Sequence, residues 1–137
     1  MRRTLRRIYV AGAYTAPTPH GIAENINAAA DLAEDLRAAG FLPYVPHTGL
    51  AGARAVGVDL VEGEGRKQDV FLCLPDLTWD EAMDDCRDLL PRMDALILVP
   101  GWQESRGAKE EKALAEAKGL PVFFTLAALR AASEEVA

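Results

Sequence analysis

The chain has 137 residues, half of them hydrophobic, with 15 Lys+Arg against 21 Asp+Glu and a net charge of −6. That length suits one domain with a sizeable core, and the composition is too apolar for a disordered chain. The acidic balance excludes a duplex-nucleic-acid binder, which needs a basic face, but not a nucleotide, which needs only a few local donors.

Two cysteines, Cys73 and Cys86, and two histidines fall short of the roughly four closely spaced ligands of a zinc site. No metal or cofactor is therefore expected, and the cysteines read as reduced core thiols. No apolar run reaches the ~20 residues of a membrane span. The basic start, Met1 to Arg7, runs into a strand rather than a signal-peptide cleavage pattern. The expectation is a cytoplasmic protein with no membrane partner.

In chain order, Ile8-Tyr9-Val10-Ala11 reads as a first buried strand. Gly12 ends it, permitting positive φ or the close approach of a ligand to backbone. Tyr14 lies in the loop that follows, placed to stack on or bond a ligand. A long helix spans about His20 to Ala39, with Ile22, Ile26, Ala29, Ala33 and Leu36 on one stripe and Gly40 as its stop. Phe41 to Pro46 forms the second strand, and the internal Pro43 gives it an edge position or a bulge.

Periodicity fails over residues 47–65, where five glycines mark a lid-like segment. His47 stands at its start, at a strand end, where it is better placed than His20 and counts as a substrate-contact candidate. Residues 66–74 read as a strand or extended piece. Thr78 with Glu81 forms a capping box for an acidic helix reaching about Leu90.

Asp94 opens the central strand Ala95–Val99, where a carboxylate bonds loop amides; it also counts among the substrate-contact candidates. The turn from Pro100 leads into a helix from about Ser105 to Lys118, which Gly119-Leu120-Pro121 stops. Val122 to Thr125 is the last strand and Leu126 to Glu135 the closing helix. Strands alternating with helices imply one domain: a doubly wound, mainly parallel sheet of about four or five strands, flavodoxin- or Rossmann-like.

In such sheets ligands bind beyond the carboxyl ends of the strands, which singles out the turn after Val99. Ser105 caps the helix, and the amides and dipole there form an anion site. Gly107 allows close backbone approach, and Arg106 is placed to assist. Glu111 is the candidate carboxylate, although the stripe Ala113, Leu114, Ala117 does not separate it from Glu110. Trp79 and Trp102 serve either to wall a pocket or to anchor the core.

Three segments together carry a resemblance: Ile8-Tyr9-Val10-Ala11-Gly12, Asp94-Ala95-Leu96-Ile97-Leu98, and Ser105-x-Gly107-Ala108-x-x-Glu111-x-x-x-Ala115-x-x-x-Gly119-x-Pro121. Over most of the chain, in order and spacing, this resembles the nucleoside 2-deoxyribosyltransferase superfamily. That group includes nucleoside-monophosphate N-glycosidases and small uncharacterised relatives. The resemblance implies Glu111 as a nucleophile attacking C1′ of a (deoxy)ribosyl group, giving a glycosyl-enzyme that water or a second base resolves.

Where the transferases commonly have an aspartate six residues before the glutamate, this chain has Ser105. The nucleotide glycosidases are more similar there, and their serine holds a 5′-phosphate. The glycosidases also carry an aspartate on the helix before the central strand. Strict spacing lands on Cys86, with Asp85 one residue off, a rotation of about 100° on a helix; Asp85 is the proton-handling candidate.

By the same resemblance Gly12 and Tyr14 line the sugar or base pocket, and a homodimer or larger assembly completes the site. The expected function is an N-glycosidase acting on a nucleoside 5′-monophosphate. Its alternatives are a deoxyribosyltransferase, a nucleotide-binding module without catalysis, and a small interaction domain with no ligand.

Overall fold

The computed structural model describes residues 5–14, 16–46 and 79–136. His47, the expected lid at 47–65, the extended piece at 66–74, Cys73 and the Thr78 cap lie outside them.

Strands β1 (Arg7–Ala11), β2 (Leu42–Tyr44), β3 (Ala95–Leu98) and β4 (Val122–Phe123) form one sheet in the order β2-β1-β3-β4. Every pairing is parallel. The helices are α1 (Pro19–Ala38), α2 (Trp79–Leu89), α3 (Arg106–Ala117) and α4 (Leu126–Val136). This is the doubly wound α/β architecture that the alternation of elements predicts. Strand order reverses between β1 and β3, so their carboxyl ends form the switch point at which such sheets bind ligands.

Strand side chains alternate between the two faces, and the packing divides accordingly. Ile8, Val10, Ala95 and Ile97 pack with Ala29, Ala33 and Leu36 of α1 and Leu129 of α4. Tyr9, Ala11, Leu96 and Leu98 pack with Met83 and Cys86 of α2 and Ala115 of α3. Both central strands are buried on both faces, which is why they read as continuous apolar runs. Full burial of such a side chain contributes roughly 1.5–3 kcal/mol.

The helix ends follow local chemistry. Thr18 caps α1 by accepting from the Gly21 amide. Gly40 (φ +94) and Gly119 (φ +75) sit one residue beyond the caps of α1 and α3. There Phe41 N donates to Leu36 O and Leu120 N to Ala115 O, the closing bond of a left-handed helix stop.

Pro43 pairs with Ile8 in a strand that ends the sheet order among the described residues. An edge strand tolerates the missing donor. The last strand is shorter than its sequence predicts: Thr125 leaves the sheet and caps α4 by accepting from the Ala128 amide. Among the described residues no helix is long and apolar enough to cross a membrane, and no group of three His, Cys, Asp or Glu is arranged to hold a metal.

Candidate functional site

The feature that stands apart from ordinary packing is a carboxylate inside the core. Glu111 lies on α3 with only 6% of its surface exposed. The buried positions of α3 are Ala108, Glu111 and Ala115, spaced three and four apart on one helix face. Ala113 and Ala117, which the sequence reading placed on the stripe with Leu114, are exposed. The choice between Glu110 and Glu111 is thereby resolved: Glu110 points outward and pairs with Arg106 at 3.3 Å.

Two side chains from other elements meet Glu111. Tyr9, from β1, and Cys86, from α2, are the side chains whose hydrogen-bonding groups bear on the titration of its carboxyl. Tyr9 is 0% and Cys86 3% exposed. Tyr44, on the neighbouring strand, lays its ring 5.5 Å from that of Tyr9 at 41°.

Burial disfavours the charged form of an acid, and hydrogen bonds to the anion favour it. At Glu111 burial wins: it pushes the carboxyl up from 4.5 to about 7, while bonds from Tyr9 and then Cys86 pull it down. Burial and then the Glu111 charge hold the Tyr9 hydroxyl well above its ordinary value. The same two causes push the Cys86 thiol up to about 12. Both groups therefore keep their protons at neutral pH. Tyr44 is raised by burial first, then by the charges of Asp85, Cys86 and Glu111.

The other candidates fall into place around this cluster or away from it. Ser105 caps α3, its hydroxyl accepting from the Ala108 amide at 3.1 Å, two turns before Glu111. Gly107 lies in the first turn of α3. Arg106 is exposed in its pairing with Glu110.

Asp85 is exposed; on α2 it is the next residue, Cys86, that turns inward with Met83. Tyr14 is half-buried in the loop after β1, where its carbonyl accepts from Asn25. Gly12 lacks the positive φ its position permits. Its close neighbour is protein: a Cβ added there would lie 2.8 Å from Val99 Cβ and Cγ2. That contact draws together the ends of β1 and β3.

Asp94 sits at the amino end of β3, opposite to the turn that bears Ser105. Its Oδ2 accepts from the Arg6 amide at 3.1 Å and the Arg7 amide at 2.7 Å, and its Oδ1 meets the Arg7 guanidinium at 3.2 Å. These contacts tie the start of β3 to the start of β1, the amide-bonding role.

Trp102 is half-buried on the α2/α3 face, its ring 6.0 Å from that of Phe124. A shallow open groove lined by Lys112, Glu116, Leu120 and Phe124 runs beside β4. It shares no residue with the Glu111 cluster, and Lys112 is engaged by Glu116 at 2.8 Å.

Tyr9 and Tyr44 were not among the sequence candidates. The signal for Tyr9 was available: a hydroxyl-bearing ring in a strand buried on both faces needs a polar partner there.

A protein-family model matches the chain over residues 6–124. The chain belongs to the family described as Domain of unknown function (DUF4406). Among curated proteins no match to the chain is found. The DUF4406 match spans every residue of the Tyr9–Cys86–Glu111 cluster and the Ser105 cap.

Proposed function

We propose that this chain is an N-glycosidase acting on a nucleoside 5′-monophosphate, with Glu111 as nucleophile. The observation that carries the reading is a carboxylate buried in the core, within two turns of a serine-capped helix start. A surface glutamate needs no such setting, whereas a nucleophile must keep one orientation and strong basicity. The resemblance to the nucleoside 2-deoxyribosyltransferase superfamily supports the same assignment.

Six residues separate Ser105 from Glu111, roughly 9 Å along the helix axis. Helical side chains lean toward the N-terminus, so the carboxyl reaches back toward the cap. A phosphate at the α3 start gains from free amides and the helix dipole. The sugar then extends toward Glu111.

In the first step a Glu111 oxygen forms a bond to C1′, and the C1′–N bond breaks with its electron pair leaving on the base. The base takes a proton from solvent or a neighbouring acid. In the second step water adds to C1′, the ester oxygen leaves with its electron pair as the Glu111 carboxylate, and the water proton goes to solvent. An oxocarbenium-like transition state gains from the adjacent negative charge. A base in place of water in the second step would make the enzyme a deoxyribosyltransferase.

A binding module without catalysis is the second reading. It draws on the position of Asp85, which is exposed and leaves a neutral thiol beside Glu111. Chromatography of the protein incubated with ribo- and deoxynucleoside monophosphates, with and without an acceptor base, separates the readings. Free base from one substrate, lost in Glu111→Gln, is the expected result. Nucleotide binding with no base released under either condition would overturn the glycosidase reading in favour of the module.

A further inference from the structure

We infer that Asn25 is a positioning residue for the loop after β1: its side-chain amide holds Tyr14 in place at the carboxyl end of that strand. The inference rests on the function proposed above and on Tyr14 lining the sugar or base pocket, as the resemblance implies.

The described residues of the loop between β1 and α1 are tied down one after another. Gly12 abuts Val99, the residue that follows β3. The Tyr14 carbonyl accepts from Asn25 Nδ2 at 3.1 Å, a contact between residues 11 apart. Ala16 lies against the first turn of α1, where a Cβ added at Gly21 would stand 2.7 Å from its own. The Thr18 hydroxyl then caps the helix by accepting from the Gly21 amide.

Glycine contacts and a cap are common to many strand–loop–helix junctions. The Asn25 bond differs from them, because it reaches from inside the helix to the residue that carries the ligand-contact side chain. Asn25 is the seventh residue of α1. Asparagine is a poor choice for a helix interior, since its side chain competes for backbone groups. Here it bonds a backbone group outside the helix. A carbonyl accepts and cannot donate, so the amide nitrogen is what Asn25 must offer it.

Tyr14 is half-buried, which leaves part of its surface available to a ligand. A contact carried on a loop binds well only when the loop already stands in the bound position, since ordering it on binding costs entropy. The Asn25 bond supplies that order beforehand. It acts on the backbone and leaves the Tyr14 ring to meet the ligand.

The test compares Asn25→Ala and Asn25→Asp with the parent chain, each with Tyr14 intact and with Tyr14→Ala. Alanine favours the helix, so the fold survives. Aspartate keeps the shape and loses the N–H donors. The first readout needs no ligand: fluorine NMR of protein labelled with 3-fluorotyrosine. The chain has three tyrosines, and the Tyr14 signal is the one lost in Tyr14→Ala. In both Asn25 variants that signal is expected to move and narrow toward that of a free side chain, while those of Tyr9 and Tyr44 stay in place. The second readout is affinity for ribo- and deoxynucleoside monophosphates by isothermal titration, with KM for any that releases base. Loss of one hydrogen bond is expected to weaken binding about three- to tenfold in Ala and Asp alike. In the Tyr14→Ala background the same substitutions are expected to add nothing, because the two residues act as one unit.

A Tyr14 signal that both Asn25 substitutions leave unmoved would overturn the inference. An Asp variant that behaves as the parent would do the same, since the donor would then not matter. So would an affinity loss equally large with and without Tyr14, which would make Asn25 a residue of the general fold. If the parent chain binds no nucleotide, the proposed function fails on that result, while the fluorine spectra of the free protein still decide whether Asn25 holds Tyr14.

Discussion

Replacing Glu111 with glutamine removes the one buried group of this cluster that ionises near neutrality. Glutamine keeps the shape and an acceptor oxygen, and the Tyr9 hydroxyl and Cys86 thiol can each donate or accept. The magnitude follows from the carboxyl's rise from 4.5 to about 7. Below pH ~4.5 Glu111 is neutral in both folded and unfolded chains, and its contribution is fully present. Between 4.5 and 7 the unfolded chain ionises while the folded chain resists, so stability is lost as pH rises. Above 7 the whole difference has been lost, about 3 kcal/mol at 1.36 kcal/mol per pH unit.

Urea denaturation of both proteins at pH 4 and pH 8.5 measures this, because every other titrating group is shared and cancels in the difference. The parent chain should lose about 3 kcal/mol relative to Glu111→Gln between the two pH values, or roughly 10 °C in Tm. A difference independent of pH would refute the argument, since it would mean that Glu111 ionises in the folded protein as it does in water.

Asp94→Ala strands two backbone amides and the Arg7 guanidinium. It should cost roughly 2–4 kcal/mol in denaturant melts while leaving Glu111's titration in place. Gly12→Ala drives a methyl group to 2.8 Å from Val99 and should cost about 1–3 kcal/mol. Pairing it with Val99→Ala should recover part of that loss in a double-mutant cycle. Ser105→Ala removes the α3 cap and should cost about 1 kcal/mol in stability. On the proposed function it should also weaken nucleoside monophosphates more than nucleosides, as read by isothermal titration.

The strands and helices of this chain were legible because local signals agreed with one another. Ala95–Leu98 is apolar at every position, which a parallel central strand requires. Gly40 and Gly119 stand where left-handed stops occur. The regular alternation of elements then leaves few topologies. The last strand was overread because Thr125 suits both a strand and a helix cap, and the hydrogen bond to Ala128 decided between them.

The site was only half legible. A helix start with Ser105 and a glutamate six residues on can be read in one dimension. Which of Glu110 and Glu111 turns inward cannot, because adjacent residues differ only by a helical rotation whose phase is set by what the helix packs against. The phase was fixed by Ala108 and Ala115, small enough to bring α3 down onto the sheet. Tyr9 and Cys86 join Glu111 from positions 102 and 25 residues away in the chain, a meeting that no local pattern encodes. The sequence by itself determined the layers, the strand character and the presence of an acid near the sheet's carboxyl edge. Tertiary structure alone decided that this acid is buried and which side chains lie around it, and hence that its carboxyl is pushed up to about 7: desolvation arises only once distant elements close around the group.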